Sequence, residues 1–351
     1  MSIADKLQKL IDGKQYVVDK VNAKTGSNLT IDSKWEDIGD NVENITSGGG
    51  TDYLANRLSG TPYEYSNSKI TEIPQYAFYA DIGITKASFE NASIINQYAF
   101  NNCDNLTSIN IPKVMVINGY ALRSCNNLTS LDIPEAINIS NYGCADCDNL
   151  TSVNAPKVSS IGTYAFQQCI NLTSIDLPNA TSAPSNMFFG CSKLASINLP
   201  KATSIGTYAF QQCINLTSIN IPNVTSIGND AFRSCGSLQN ISLPECITIN
   251  SSVFYGCNSL KSAYIPKCTN IKDNAFYTVN IKAIIITQTD SVATLSAVTG
   301  IVGIINGSGY VYVDDTMVDS YKGATNWSSY PSKIKPISEL PQEYKDLYGI
   351  E

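Results

Sequence analysis

Apolar residues return at a fixed interval along most of this chain. Between residues 77 and 276 one large apolar position recurs every 22 residues with no insertion. Its occupants are Phe78, Phe100, Leu122, Cys144, Phe166, Phe188, Phe210, Phe232, Phe254 and Phe276. Leucines from Leu106 to Leu260 and prolines from Pro112 to Pro266 keep the same interval. A period of this length predicts a repeat solenoid, in which each coil buries its apolar face only against its neighbours.

Each unit contains one short stretch in which apolar and polar residues alternate. In residues 218–222 (SINIP) the alternation predicts a strand with Ile219 and Ile221 facing inward. Pro222 ends this strand because proline cannot donate to a ladder. We therefore expect one strand per coil, and a continuous parallel β-sheet along the solenoid.

The residues before the repeats predict a small α-helical head. Apolar side chains lie at helical spacing in residues 1–46, and two short helices are too small to bury a core alone. We expect the head to dock to a larger particle and to form homo-oligomers. The predicted docking side chains are Ile3, Leu7, Leu10, Trp35 and Ile38. Residues 47–50 (SGGG) predict a flexible linker.

The two ends of the solenoid need caps, because an open end would expose an apolar coil and unpaired strand groups. Residues 51–73 are the predicted N-terminal cap, residues 74–286 the solenoid and residues 287–351 the C-terminal cap. Near this end, residues 281–286 predict a buried strand and 291–298 a short helix. Residues 309–313 predict a closing strand, and a capping helix begins at Asp314 or Asp315 and carries Tyr321.

The repeat reads Ile-x-x-x-Ala-Phe-x-x-Cys-x-x-Leu-x-x-Ile-x-(Ile/Leu)-Pro, as in residues 161–178 and 205–222. This pattern resembles the BspA-like class of bacterial leucine-rich repeats, and the resemblance implies their fold and an adhesin or host-interaction role. Residues 309–340 resemble the ends of repeat proteins encoded in phages and prophages of gut Firmicutes. Residues 3–45 resemble the helical heads of gut-phage fibres. These two resemblances imply a virion-associated head or tail fibre.

Composition narrows the chemistry. The net charge of −7 disfavours nucleic acid as a partner, and the absence of histidine removes the commonest general base and metal ligand. No isolated nucleophile with a base and no phosphate-binding glycine loop is present, so we predict a non-enzymatic protein without cofactor or metal. We expect no secretory signal and no membrane insertion, since residues 1–10 lack an apolar run. The predicted location is the virion; the cytoplasm and the cell surface are the alternatives.

Eleven cysteines could indicate disulfides or a metal site, but eight of them share one phase of the repeat. They are Cys103, Cys125, Cys147, Cys169, Cys191, Cys213, Cys235 and Cys257. Side chains in such a column point the same way, which does not suit a disulfide. We predict a buried ladder of free thiols.

Outward positions of the predicted strands form polar columns. The candidate binding residues are Ser108, Asn110, Asp132, Asn154, Asp176, Asn198, Asn220 and Tyr264. One interpretation is a recognition strip that hydrogen-bonds sugar hydroxyls or a partner's backbone. The other is that stacked side chains pair with one another and keep the face hydrated.

A third column is aromatic. It contains Tyr98, Tyr120, Tyr142, Tyr164 and Tyr208. Such rings are favoured at binding surfaces, although repeat packing explains them equally well.

Residues 161–175 and 205–219 are identical, which favours multivalent contact with a repetitive ligand such as a glycan. The leading hypothesis is a virion fibre whose head contacts other virion proteins and whose solenoid contacts a host-surface glycan or protein. A bacterial BspA-like adhesin and an intracellular interaction scaffold are the alternatives, and a spacer would need no ligand.

Overall fold

The computed structural model describes residues 60–277 and 281–351. The predicted head, linker and docking side chains, and residues 51–59 of the predicted cap, lie outside the described residues. The chain divides into two compact units, Met1–Ala155 and Pro156–Glu351. We describe each unit by itself.

The first unit is built from two series of parallel strands. One series is β1 (Tyr63–Ser66), β3 (Ile84–Ser88), β5 (Ser108–Asn110), β7 (Ser130–Asp132) and β9 (Ser152–Asn154). The other is β2 (Glu72–Ile73), β4 (Ile94–Ile95), β6 (Val116–Ile117) and β8 (Asn138–Ile139). Strands of one series pair one coil apart, as Ser130 with Ser152 and Val116 with Asn138. The parallel pairing at the repeat interval confirms the predicted solenoid.

The second unit continues the same plan. Its first series is β11 (Ser174–Asp176), β13 (Ser196–Asn198), β15 (Ser218–Asn220), β17 (Asn240–Ser242), β19 (Ser262–Tyr264), β21 (Ala283–Ile286), β23 (Tyr310–Val313) and β24 (Ile334–Pro336). Its second is β10 (Ser160–Ile161), β12 (Ser182–Ala183), β14 (Ser204–Ile205), β16 (Ser226–Ile227), β18 (Thr248–Ile249), β20 (Asn270–Ile271) and β22 (Thr294–Leu295). The pairings within each series are parallel, but the first series is interrupted between β15 and β17 and the second between β10 and β12.

Each coil therefore carries two strands, whereas the sequence predicts one. The second strand follows the proline turn; in β14 it contributes the buried Ile205, which pairs with Ile227 of β16. A strand of two residues is too short to show alternation, so the pattern predicts only that its isoleucine faces inward. The expectation of a single strand per coil is wrong for this reason.

The core consists of columns that run through the coils. In the second unit the rings of Phe166, Phe188, Phe210, Phe232 and Phe254 stack with centroids 5.2–5.6 Å apart. Each of these rings is fully buried. The predicted cysteine ladder is also confirmed, since all eleven thiols are free and buried.

The start of the described chain belongs to the same ladders. β1 pairs with β3, and β2 pairs with β4. Tyr63 and Tyr65 are buried, and the ring centroids of Tyr65 and Phe78 lie 5.1 Å apart. Residues 60–73 therefore form a coil of their own, in which tyrosines replace the aliphatic residues of the repeat.

The C-terminal region differs from expectation at two points. Residues 291–298 do not form a helix, because Leu295 of β22 takes the inward position beside Ile271; a 3-10 helix (Val298–Ile301) and helix α1 (Val302–Ile305) follow. β23 is not the closing strand, since β24 pairs with it on the other side. The predicted buried strand is confirmed, for all four residues of β21 are buried.

Two helical segments then cover this end. The predicted capping helix is present as a 3-10 turn (Asp315–Met317) and helix α2 (Val318–Gly323), and the Asp314 carboxylate accepts from the Thr316 amide. Tyr321 and Trp327 are buried and both hydrogen-bond the backbone of Ala293. Helix α3 (Gln342–Tyr348) was not predicted, and it ends at Gly349 in the left-handed conformation, a common helix C-terminus.

Candidate binding face

The first series of strands presents one apolar residue inward between two polar residues outward. β7, β9, β11 and β15 each place an exposed serine first and an exposed asparagine or aspartate third. Because consecutive strands pair without a shift, these side chains form two columns, about 4.8 Å apart from coil to coil. We call these outward positions the strip.

The asparagine and aspartate column is internally hydrogen-bonded. In the second unit Asn198 Nδ2 donates to Asp176 Oδ1 at 2.9 Å, and Asn220 Nδ2 donates to Asn198 Oδ1 at 2.8 Å. In the first unit Asn154 donates to Asp132 at 2.7 Å and Asn110 to Ser88 at 3.0 Å. Each amide is thereby fixed in one orientation, with its remaining hydrogen-bonding groups at the surface.

The serine column behaves differently. Its members are Ser108, Ser130 and Ser152 in the first unit, and Ser174, Ser196 and Ser218 in the second; all six are exposed. Within residues 60–277 and 281–351, none of these hydroxyls has a hydrogen-bond partner. Hydrogen bonds between neighbouring side chains therefore explain the asparagine and aspartate column. The serine hydroxyls remain available to a ligand.

The strip ends beneath helix α3. Tyr264, the last predicted strip residue, stacks on Tyr348 with ring centroids 5.0 Å apart. Ser262, which continues the serine column, is fully buried, and its Oγ lies 2.6 Å from the Tyr348 hydroxyl. The structure thus places Tyr264 in an internal contact, apart from the exposed strip residues.

The tyrosine column lies in the turn after the second strand of each coil. In the first unit Tyr76, Tyr98, Tyr120 and Tyr142 stack nearly parallel, with centroids 5.0, 4.8 and 4.7 Å apart. In the second unit Asn186 takes the position between Tyr164 and Tyr208, so these two rings are not neighbours in the column. Within the first unit the structure brings together the predicted Tyr98, Tyr120 and Tyr142, and within the second unit Asn186 separates Tyr164 from Tyr208.

The backbone under this column is in the left-handed conformation. Tyr98, Tyr120 and Tyr142 have φ values of 60°, 61° and 57°, a region that tyrosine rarely adopts. Equivalent positions in the second unit include Asn186 and Asp230, residue types that tolerate it better. Ring stacking supplies the compensating attraction in the first unit.

Arg123, which the sequence did not single out, completes this cluster. Its guanidinium lies 5.7 Å from the Tyr120 ring and 5.6 Å from the Tyr142 ring, and its Nε donates to Asp146 Oδ2 at 2.7 Å. Partial burial, together with the neighbouring Tyr120, raises the pKa of Tyr98. The Tyr98 hydroxyl is therefore neutral at physiological pH.

Sequence comparison identifies the repeat. The family model for the BspA type leucine-rich repeat region matches residues 71–195 and 181–297, in six copies. The chain belongs to this BspA-type leucine-rich repeat family. Solenoids of the leucine-rich repeat kind are generally non-enzymatic scaffolds that bind other proteins or ligands along their surface. No curated protein matches the chain in sequence.

Comparison with solved structures finds several bacterial leucine-rich repeat proteins. A leucine-rich cell surface protein from Faecalibacterium prausnitzii is 25% identical, with a TM-score of 0.39, over 65% of this chain and 73% of its own. A leucine-rich repeat protein from Bacteroides ovatus is 19% identical, with a TM-score of 0.36, over 76% of this chain and 88% of its own. The pneumococcal vaccine antigen PcpA is 14% identical, with a TM-score of 0.40, over 79% of this chain and 88% of its own.

The BspA-type core offers little reactive chemistry. In the part of the chain that the structure describes, no group of three or more histidine, cysteine, aspartate or glutamate side chains could hold a metal ion. Burial raises the pKa of Cys191 and of Cys257 to about 12, which keeps both thiols protonated and unreactive. Across residues 60–277 and 281–351, no helix has the length and apolar character of a membrane span.

Two further residues of the binding face could not be predicted. Tyr348 reaches the strip only because helix α3 folds back over β19, and the sequence contains no repeat signal for that contact. Arg123 could not be predicted either, because the positions 22 residues before and after it carry other residue types and the repeat pattern does not single it out.

Proposed function

We propose that this BspA-type protein is a non-enzymatic adhesion protein that holds a partner along the outward face of its first series of strands. The observation that carries the proposal is the serine column, whose exposed hydroxyls have no hydrogen-bond partner among the described residues. Hydroxyls that are already stacked in register form a rigid binding surface, which lowers the entropy cost of holding a partner.

A cell-adhesion assay tests this role. Microspheres that carry the full chain should bind the surface of gut bacterial or epithelial cells. Replacing Ser174, Ser196 and Ser218 of the second unit by lysine should abolish binding, because long charged side chains would then cover its part of the strip. The matched control replaces Ser182, Ser204 and Ser226, on the second series of strands, by lysine and should keep binding. Equal adhesion of both variants would contradict the proposal.

Attachment to a virus particle is a separate part of the proposal. It is supported by the helical pattern of residues 1–46 and by the resemblance of both chain ends to gut-phage proteins. In this form the head docks to other virion proteins and the strip contacts the host. Deletion of residues 1–46 should leave the solenoid folded, as judged by circular dichroism, and remove the protein from purified particles. Particles that retain the truncated protein would refute head docking, while the adhesion role would stand on its own assay.

A further inference from the structure

A hydroxyl group of the protein itself, that of Tyr348, hydrogen-bonds one serine of the strip's serine column. Tyr348 of helix α3 places its hydroxyl 2.6 Å from Ser262 Oγ, at the position of the serine column two coils beyond Ser218. The same hydroxyl lies 3.4 Å from the carbonyl oxygen of Ile241. The second unit therefore shows how this face holds a hydroxyl-bearing group.

The direction of this hydrogen bond follows from its neighbours. Ser262 Oγ donates its only proton to Asn240 Oδ1 at 2.7 Å, since that oxygen can only accept. Ser262 can then only accept at the 2.6 Å contact, so the Tyr348 hydroxyl donates there in preference to the Ile241 carbonyl oxygen, which lies at 3.4 Å. Burial raises the pKa of Tyr348 to about 12, so the donated proton is present throughout the physiological range. A serine of the column thus accepts a hydrogen bond from an incoming hydroxyl.

Coils that helix α3 does not cover present the same serine hydroxyl with no tyrosine bound to it. Ser174, Ser196 and Ser218 are exposed and repeat at the strand spacing of about 4.8 Å. Their hydroxyls can both donate and accept, as Ser262 does under the helix. A ligand that fits all three carries hydroxyls at regular intervals along an extended chain.

Charge and residue type narrow the class of ligand. The exposed Asp176 carboxylate lies in the neighbouring column, and the whole chain carries a net charge of −7. Anionic polymers are repelled by such a surface. Residues 174–220 place no aromatic ring at the outward positions of β11, β13 and β15, so contacts with each sugar are weak and affinity must come from their number.

We infer that the strip of the second unit binds a neutral polysaccharide, whose successive hydroxyls hydrogen-bond Ser174, Ser196 and Ser218 as the Tyr348 hydroxyl bonds Ser262. This inference depends on the adhesion role proposed above and specifies its ligand. Helix α3 marks the end of the site, because its tyrosine fills the next serine position.

Affinity electrophoresis of the full chain in gels that contain mixed-linkage β-glucan, xyloglucan or dextran tests the inference. At least one of these neutral polymers should retard the protein, whereas glucose and the anionic polymer alginate should not. Replacing Ser174, Ser196 and Ser218 by alanine should weaken retardation at least about tenfold, since three hydrogen bonds are lost. The matched control, Ser204→Ala with Ser226→Ala on the second series of strands, should bind as the unaltered chain does.

A second variant tests the internal occupant. Tyr348→Ala uncovers Ser262 and Tyr264 and should increase affinity severalfold, because the site gains a serine and an aromatic ring. Unchanged affinity would overturn the equivalence of Ser262 with the open serines. If no neutral polymer binds while the microspheres still adhere to cells, the ligand class is wrong and the adhesion role stands. If adhesion also fails, both fall.

Discussion

The thiol of Cys213 donates a hydrogen bond to the backbone carbonyl oxygen of Phe188 in the preceding coil, at 3.2 Å. The same contact joins Cys191 to Phe166 at 3.0 Å and Cys235 to Phe210 at 3.1 Å. Each cysteine thus fills the core and gives the phenylalanine carbonyl a second donor, since Phe188 already accepts from the Cys191 amide and Phe210 from the Cys213 amide. This double role explains why a small polar group recurs in an otherwise apolar column.

Native thiols should be inaccessible to reagents. All eleven cysteines are buried, and burial favours the protonated form, which is a poor nucleophile. Ellman's reagent at pH 8 should therefore label almost none of them in the folded protein and all eleven in denaturant. Rapid labelling of several thiols under native conditions would contradict the ladder.

Stability should fall at alkaline pH. Burial raises the pKa of Cys191 from its ordinary 9.0 to about 12, and that of Cys257 likewise. Between these values the unfolded chain has lost the proton while the folded protein keeps it, so unfolding becomes more favourable as pH rises. The contribution of these thiols to the free energy of unfolding, measured with urea, should be constant between pH 7 and 9 and decrease from pH 9 towards 12.

A variant isolates the contribution of the thiols to this decrease. Cys191→Ala with Cys257→Ala removes two of the titrating groups, each worth up to about 1.4 kcal/mol per pH unit in this range. The variant should be less stable at pH 7 because of its cavities, yet lose stability less steeply above pH 9. An unaltered slope would assign the alkaline transition to other groups, such as the buried tyrosines.

The tyrosine column allows a matched pair of substitutions. Tyr120→Asn relieves left-handed strain but removes two ring stacks and a contact with Arg123, so we expect a net loss of about 1–2 kcal/mol. Tyr208 has a similar φ of 59°, but no ring stacks on it among the described residues. Tyr208→Asn should therefore be neutral or stabilising. Thermal unfolding of the two variants checks the difference, and equal losses would show that stacking does not support the column.

How far the sequence predicts this protein depends on whether a feature is repeated. The phenylalanine and cysteine columns lie where the period places them. Every coil repeats the same inward pattern, so a wrong assignment in one repeat is exposed by the agreement of the other repeats. The second strand of each coil was missed, since Ser204–Ile205 is only two residues long. Helix α3 and Tyr348 were missed because they occur once, and their position depends on tertiary contacts with Ser262 and Tyr264.

The candidate site divides in the same way. The sequence placed the serine and asparagine columns correctly on the outward face, because alternation fixes which side a strand residue faces. It could not tell which column pairs internally, since Asn198 and Ser196 are equally polar and only side-chain reach separates them. The longer asparagine spans one strand spacing to Asp176, while none of the six exposed serine hydroxyls of the column reaches the next.

Glycine substitutions test how closely neighbouring turns approach. A Cβ built on Gly228 would lie 2.4 Å from the backbone nitrogen of Thr207, a contact that cannot be relieved by moving a side chain. Gly228→Ala should therefore destabilise the protein by about 1–3 kcal/mol, as other overpacked sites do. Gly236 provides the control, because its added Cβ would meet nothing closer than 3.9 Å. Gly236→Ala should change the urea midpoint little. If both variants unfold at the same urea concentration, the turns at Gly228 and Thr207 do not approach each other as closely as the structure shows.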